Sequence, residues 1–278
     1  MAPKRTPEQI AKERERAIRR LQDGLLPDCD LAPLICFDRR VLVVSASDSE
    51  ALRGAKKLVL TLGHAYSDLK DIGWAMQVWS YGIPAGRMTS PDGYRGQHQA
   101  MGEYFIRVIC GHLHELFLVL EGSGKVIRSD LCQRALKRVK NVVGLNAWET
   151  LTSGKKRVPE LRRLRQFIDD ARNWSAFHYD QGQIAEGFRD WAAKPPFEMD
   201  AFESLGDSME QTRFYFADAG IQRFSENLRQ KHGFTIESWR KATNLVNYGI
   251  RFVVEAFVEE LCSEQGFPQP KPYPPARF

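Results

Sequence analysis

The longest stretch of helical periodicity in the chain starts at residue 50, and it constrains the fold more than any other feature. The spacing of a capping box, in which a serine oxygen and a glutamate carboxylate satisfy the first amides of a helix, occurs at Ser47 to Glu50. Beyond it, apolar positions recur every three or four residues, which predicts a core-facing helix of about seven or eight turns. These positions are Leu52, Ala55, Val59, Leu62, Tyr66, Leu69, Gly73 and Met76. Lys56, Lys70 and Asp71 fall on the opposite, solvent-facing side.

Further helices are predicted wherever the same period returns. Five such segments span about residues 97–120, 129–143, 183–193, 219–230 and 235–261. A sixth begins near Pro159, which is preorganised for a first helical turn, and it carries Leu164, Ile168 and Ala171 on its apolar side. Short glycine-rich turns join the first three long helices, which favours antiparallel packing. The sequence therefore predicts an all-α fold, an antiparallel helical bundle with a helical C-terminal extension.

Changes in composition divide the chain into five parts. They are a charged arm at 1–24, an irregular lead-in at 25–49, the bundle at 50–193, the helical extension at 197–263 and a proline-rich tail at 266–278. The boundary between bundle and extension is placed at Lys194-Pro195-Pro196, because proline breaks a helix. In the lead-in, short apolar runs at 34–37 and 41–44 fit either strands or packed extended chain.

The charge of the chain is concentrated in the arm. Of the formal net charge of +5, residues 1–20 contribute +4, and the remainder is nearly neutral. Broad, salt-sensitive binding to a long nucleic acid is therefore not indicated outside the arm. The five cysteines contain no C-x-x-C pair and are expected to be reduced thiols. Because the N-terminus is charged and no run of about 18 apolar residues occurs, the sequence predicts a cytoplasmic protein with no membrane segment.

The side chains best suited to catalysis lie in the stretch RNWSAFHYD, residues 172–180. Arg172 carries a permanent charge suited to phosphate, Asn173 is a polar neighbour, and His178 can move a proton near neutral pH. An arginine and a histidine beside a phosphodiester supply charge neutralisation and proton transfer, which is the chemistry of a ribonuclease. The alternative is structural: Arg172 pairs with an aspartate of the preceding turn, and His178 stabilises a helix end.

Basic residues crowd the helix that precedes this stretch. Those expected to contact RNA are Lys155, Lys156, Arg157, Arg162, Arg163 and Arg165. Between residues 155 and 172, only Glu160, Asp169 and Asp170 oppose them. Such a run is also typical of a solvated helix face. Its position beside a pair of residues that can handle phosphate favours the RNA-binding interpretation.

No metal or cofactor site is predicted. His112 and His114 are two residues apart on a helix, so they point to nearly opposite faces and cannot share a metal. Cys110 lies one turn from His114, but no further ligand accompanies this pair. The glycine-rich segment from Gly122 to Lys125 lacks the spacing of a phosphate-binding loop and follows a predicted helix, which indicates a turn.

These features together resemble the HEPN (higher eukaryote and prokaryote nucleotide-binding) superfamily. Its usual signature is an arginine, then four to six residues, then a histidine, with Asn, Asp or His favoured directly after the arginine. Arg172, Asn173 and His178 match this pattern, with five residues between the arginine and the histidine. The resemblance covers about residues 50–193 and agrees with the helical bundle and its basic fourth helix.

The resemblance implies an all-α homodimer in which two copies of the motif line one cleft and cleave RNA without a metal or other cofactor. It implies that Arg172 holds the scissile phosphate, that His178 acts as general acid or base, and that Asn173 orients one of them. The expected product is a 2′,3′-cyclic phosphate. Many members are toxins or phage-defence effectors, so an antitoxin or other regulatory protein is an expected partner, together with RNA.

Other interpretations stay open. In one toxin group of the superfamily a tyrosine stands two positions after the histidine, whereas here Tyr179 follows directly and Asp180 takes that place. On an ideal helix Arg172 and His178 are about 120° apart, so the helix must end before His178 or a second subunit must complete the site. The rival hypothesis is a non-catalytic helical protein that binds a protein or nucleotide partner through the same bundle.

Overall fold

A computed structural model describes residues 35–81, 93–152, 159–171, 181–193, 215–233 and 235–272, together with six isolated positions between residues 6 and 19. At some helical positions, including 93–100 and 236–242, only the backbone is described. The α-helices in these ranges are α1 (Glu50–Tyr81), α2 (Gly93–Gly122), α3 (Gly124–Ile127), α4 (Asp130–Arg138), α5 (Val142–Thr152), α6 (Pro159–Ala171), α7 (Gln181–Ala192), α8 (Tyr215–Lys231) and α9 (Ile236–Glu264). The predicted all-α fold class is confirmed.

A two-stranded sheet joins distant parts of the chain. Strand β1 (Ile35–Cys36) pairs antiparallel with β2 (Lys271–Pro272). A 3-10 helix (Arg39–Leu42) follows β1 and contacts α1 and α9, with Val41 fully buried. The Gln265 side chain donates a hydrogen bond to the Val41 carbonyl at 3.0 Å. The described part of the lead-in is thus packed onto the helical bundle.

Helix α9 lies at the centre of the bundle, where it packs against α1, α4, α5 and α6. Phe257 and Leu261 are buried in one hydrophobic core with residues of these helices. A Cβ atom on Gly249 would lie 2.7 Å from the Leu151 side chain and 3.1 Å from the α5 backbone, so this glycine permits the close approach of α5 and α9. The sequence assigns residues 197–263 to an extension, but the structure makes α9 part of the core of the predicted bundle.

Helices α7 and α8 form a second closely packed pair. A Cβ atom on Gly187 of α7 would lie 2.2 Å from the carbonyl oxygen of Gly220 of α8, so the two backbones can approach only because a glycine occupies this position. Helix α8 also contacts α2 and α6. This packing brings the residue that follows α8 next to α6.

Helix α1 extends about one turn beyond its prediction, and its cap differs from the predicted one. The Ser49 Oγ accepts a hydrogen bond from the Leu52 N–H at 3.2 Å, which makes Ser49 the N-cap. Ser47 instead shares a hydrogen bond with Ser45 in the preceding turn. The predicted capping box at Ser47 to Glu50 is wrong, because the helix begins two residues later than that box requires.

Lys56 is buried rather than solvent-facing, with 2% of its surface exposed. Its ammonium group donates to the Val43 carbonyl at 2.8 Å and to the Asp48 carboxylate at 3.1 Å. A backbone hydrogen bond from Ser45, reinforced by Lys56, lowers the pKa of Asp48. The helical period cannot predict this burial, because the partners of Lys56 come from the lead-in, which folds over the start of α1.

The predicted helix at 129–143 contains α4 and only the first two residues of α5, most of which was not predicted. Helix α4 ends before Val139, which adopts an extended conformation. The Asn141 side chain accepts a hydrogen bond from the Gly144 N–H at 2.9 Å and so caps the start of α5. Val143 is 60% exposed and so lies outside the buried face of α5. The single-helix prediction fails because Asn141 starts a new helix with its own buried face.

The remaining helix predictions are confirmed. Helix α6 begins at Pro159 and buries Leu164, Ile168 and Ala171. Helices α2, α7, α8 and α9 match their predicted spans to within a few residues. The proline-rich tail contributes β2, whereas most of the charged arm lies outside the described residues. None of the described helices is both long enough and apolar enough to cross a bilayer.

Candidate active site

The predicted catalytic residues follow directly after the described part of α6. The predicted site residues that lie outside the described ranges are Arg172, Asn173, His178, Tyr179, Asp180, Lys155, Lys156 and Arg157. Ala171, the residue before Arg172, is 5% exposed and belongs to the hydrophobic core. The contacts of Asp169, Asp170 and Ala171 therefore show from which place in the fold the predicted motif starts.

Two histidines from other parts of the chain meet adjacent aspartates of α6. The Nδ1 of His114, on α2, lies 2.9 Å from Asp169 Oδ1. The Nε2 of His232, the first residue after α8, lies 2.8 Å from Asp170 Oδ2. Both imidazoles are largely enclosed, with 14% and 11% of their side-chain surfaces exposed. These contacts, called here the two His-Asp pairs, join α2, α6 and the end of α8 just before Arg172.

Each carboxylate fixes the orientation of its imidazole ring and thereby determines which of the two ring nitrogens points toward α6. Asp170 also lies 3.1 Å from the Lys231 ammonium. The Phe167 ring packs edge-on against His232, with centroids 6.4 Å apart. These contacts hold His232 between a carboxylate and an aromatic wall. The arrangement anchors the last described turn of α6.

The basic residues of α6 are divided between solvent and the interior. Arg162 and Arg163 are exposed, as an RNA-contacting role requires. Arg165 instead forms an ion pair with Glu121 of α2, and its guanidinium lies 4.9 Å from the centre of the Phe117 ring. Only 12% of the Arg165 side chain is exposed. Its predicted RNA contact would therefore have to displace Glu121.

Four polar residues of α2 share the side of this helix that faces α6 and α8. Called here the polar seam, they are Glu103, Arg107, His114 and Glu121. Their spacings of four and seven residues return to nearly the same side of an α-helix. His114 and Glu121 reach α6, and Glu103 reaches α8, where its Oε1 lies 3.7 Å from Arg229 Nη2. The seam thus runs from the His-Asp pairs into the interior between α2 and α8.

Glu103 is the most deeply buried acidic member of the seam, with 8% of its surface exposed. Its Oε2 accepts no hydrogen bond from the part of the chain that the structure describes. Burial raises the pKa of Glu103, because Arg229 and a hydrogen bond with Ser225 offset the loss of solvent only in part. The seam therefore contains a carboxyl group with a raised pKa, about 16 Å along α2 from His114.

The sequence-based interpretation considers His114 only as a metal ligand and rejects that role, and it does not consider His232. The predicted separation of His112 and His114 is confirmed, since His112 Nδ1 lies 3.8 Å from Asp68 of α1 whereas His114 faces α6. The polar stripe at spacings of four and seven within an apolar helix is a signal that could have identified His114. His232 has no local signal, because its partner is 62 residues away.

Within the described ranges, no three His, Cys, Asp or Glu side chains are grouped so that they could hold a metal ion. Comparisons with models of protein families, with curated proteins and with solved structures found no match. The resemblance to the HEPN superfamily therefore stays a prediction that rests on Arg172, Asn173 and His178.

Proposed function

We propose that this protein is a metal-independent endoribonuclease of the HEPN type, with Arg172 and His178 as catalytic residues. The observation that supports the proposal is the convergence of the two His-Asp pairs on the residues just before Arg172. These pairs hold α6 against α2 and against the end of α8. The residue that precedes the predicted motif therefore has a fixed position. Catalytic groups need such support, because a misplacement of about 1 Å can cost about 10²-fold in rate.

In the proposed reaction, the 2′-hydroxyl of the RNA attacks the adjacent phosphorus, and the bond to the 5′-oxygen breaks. His178 takes the proton of the 2′-hydroxyl or gives a proton to the leaving 5′-oxygen. Arg172 neutralises the negative charge that develops on the phosphate, and Asn173 orients one of these groups. The products are a 2′,3′-cyclic phosphate and a 5′-hydroxyl end. His114 and His232 are positioning residues, because each acts through an aspartate of α6.

The proposal includes a homodimer formed through the surface that contains residues 160–180. On one ideal helix, Arg172 and His178 are about 120° apart, and a second copy of the motif across a shared cleft supplies the complementary group. The exposed Arg162 and Arg163 would line the path of the RNA and neutralise its phosphates. Light scattering that gives the mass of one subunit at micromolar concentration would contradict this part of the proposal.

The test is cleavage of mixed RNA by the purified full-length protein in EDTA. His178→Ala and Arg172→Ala should each lower the rate by about 10²- to 10⁴-fold without changing the circular dichroism spectrum. His64→Ala is the matched control, because this histidine lies on α1 and 79% of its side chain is exposed. Mass spectrometry of the products should find 2′,3′-cyclic phosphate ends.

Two outcomes would count against the enzyme. Equal cleavage by wild type and His178→Ala would identify a contaminating nuclease. No cleavage of several RNAs by the wild-type dimer would favour the second candidate function.

The second candidate is a non-catalytic helical protein that binds a protein or nucleotide partner. The internal ion pair between Arg165 and Glu121 supports it, because this contact occupies a positive charge that RNA would otherwise meet. For such a protein, His114→Gln and His232→Gln would lower thermal stability and have no cleavage activity to affect.

A further inference from the structure

A cleft opens between α1, α2 and α9. Its volume is about 330 Å³, which is within the range of small-molecule sites. Ile109 and Leu113 of α2 line it and are 6% and 1% exposed. On an ideal helix these two residues point about 110° away from the polar seam. The cleft therefore lies on a different side of α2 from the polar seam.

Gly73 lines this cleft from the interior of α1, where glycine stabilises a helix less than alanine does. A close helix crossing does not explain the glycine, because no atom of the described chain lies within 4 Å of the position that a Cβ would take. A larger side chain would extend into the open space at the cleft. Glycine at this position therefore leaves the cleft open beside α1.

The rim of the cleft is polar and carries a lysine. Asn244 and Asn247 of α9 are about one turn apart and exposed, so their carboxamides can donate hydrogen bonds. Lys70 of α1 lies at the same cleft, and its ammonium is 3.1 Å from Asp71. This ion pair is exposed, with 42% and 68% of the two side-chain surfaces accessible. Because exposed pairs of this kind are weak, an anion in the cleft can compete with Asp71 for the Lys70 ammonium.

From this combination we infer that the cleft binds a small amphipathic anion. An apolar ring or chain lies against Ile109 and Leu113 and fills the space beside Gly73. A carboxylate, sulfonate or phosphate group meets Lys70 and accepts hydrogen bonds from the two rim asparagines. The inference goes beyond the proposed ribonuclease and does not depend on it, because it uses none of the residues proposed for catalysis and none of the polar seam.

Fluorescence titration of the full-length protein with two dyes tests the inference. 1-Anilinonaphthalene-8-sulfonate and N-phenyl-1-naphthylamine share an aromatic body, and only the first carries a sulfonate. The wild type should bind the sulfonate dye about five- to tenfold more tightly than the neutral dye. Lys70→Met should remove this preference and leave the affinity for the neutral dye within about twofold.

Gly73→Leu should weaken the binding of both dyes by about tenfold or more, because the new side chain fills the cleft. Gly63→Leu is the matched control on the same helix. A Cβ there also meets no atom of the described chain within 4 Å, but Gly63 does not line the cleft. Gly73→Met provides a second, more flexible plug if leucine disturbs α1, and circular dichroism checks the helix content of each variant.

Three outcomes would overturn the inference. The first is unchanged dye binding by the folded Gly73 variants. The second is equal affinity of the wild type for the two dyes. The third is a Lys70→Met variant that weakens both dyes equally, because the lysine would then shape the cleft and would not bind the anion.

Discussion

Glu260 on α9 and Glu103 on α2 are buried to similar extents, with 5% and 8% of their surfaces exposed, but their surroundings differ. The two carboxylate oxygens of Glu260 accept hydrogen bonds of 2.6 Å from the Nε atoms of Arg134 and Arg138 on α4. Glu103 lies 3.7 Å from Arg229 in a looser ion pair. Its Oε2 accepts no hydrogen bond from any described residue.

The pKa values of the two carboxyl groups move in opposite directions as a result. Burial raises the pKa of a carboxyl group, but around Glu260 the hydrogen bonds from two arginines outweigh burial and hold the pKa below its usual value. Around Glu103 burial prevails, and the pKa is raised. The exposed fraction of a carboxyl group alone therefore does not set the direction of its pKa shift. At the contact between α4 and α9, both carboxylate oxygens of Glu260 accept hydrogen bonds. In the polar seam, one carboxylate oxygen of Glu103 has no donor among the described residues. Unsatisfied groups of this kind are common at functional sites.

Removal of both arginines around Glu260 should have the largest effect on stability. Arg134→Ala combined with Arg138→Ala leaves a buried carboxylate without its donors, which should lower the free energy of unfolding by about 2 to 3 kcal/mol at neutral pH. Fully buried pairs cost more, but solvent screens these partly exposed arginines. Urea unfolding measures the change. Arg251→Ala is the control, because its pair with Glu255 is exposed on both sides. If the double arginine variant and Arg251→Ala lowered the free energy of unfolding equally, Glu260 would not differ energetically from a surface carboxylate.

Glu260→Gln should reveal the lowered pKa through its pH dependence. A lowered folded-state pKa means that the carboxylate contributes stability above the unfolded-state pKa of about 4.3, and that this contribution is lost as pH falls through the folded value. The variant should be less stable than the wild type by about 1 to 2 kcal/mol near neutral pH. The difference should shrink when urea unfolding is repeated below about pH 4. A difference that does not change with pH would contradict the assigned pKa direction.

Glu103→Gln should have the opposite effect on the free energy of unfolding to Glu260→Gln. A raised folded-state pKa means that the protonated carboxyl contributes stability below the unfolded-state pKa of about 4.3, and that this contribution is lost as pH rises through the folded value. The neutral amide avoids this loss. The variant should therefore match the wild type near pH 4 and be more stable by about 1 kcal/mol near pH 8, as measured by urea unfolding. Lower stability of the variant near pH 8 would show that Arg229 satisfies the carboxylate.

His114→Gln and His232→Gln should have the smallest effects on stability, about 0.5 to 1 kcal/mol each, because each removes one hydrogen bond to a partly exposed carboxylate. Under the proposed function, each should also slow RNA cleavage by about tenfold, because the residues before Arg172 are held less firmly. His64→Gln, on an exposed histidine of α1, should change neither quantity. A loss of stability with unchanged cleavage would assign the pairs a structural role alone.

The helices could be predicted where one face is uniformly apolar. Helix α6 is the clearest case, since Pro159 marks its start and Leu164 and Ile168 repeat at helical spacing and are buried. The break between α4 and α5 could not be predicted in this way. Asn141 caps a new helix inside a segment whose apolar pattern continues without interruption, so the period conceals the boundary.

The contacts between helices could not be predicted for a different reason. Arg134 and Glu260 are 126 residues apart, and His114 and Asp169 are 55 apart. Spacing along one helix tells which residues share a face, but it does not tell which helix that face meets. The candidate site shows the same limit: residue types at 172–180 predict a chemistry, whereas the two His-Asp pairs beside it depend on the packing of three separate parts of the chain.

The central position of α9 has a consequence for biosynthesis. Leu62, Leu116 and Trp148 belong to the core that α9 completes, but the ribosome makes all of them before it makes α9. At about 5 to 20 residues per second, roughly 4 to 20 s pass between the completion of α5 and the synthesis of α9. During that interval the nascent chain exposes apolar helix faces whose partner does not yet exist. Exposed apolar surface of this kind promotes aggregation, so we expect each new chain to depend on protection by chaperones until α9 emerges.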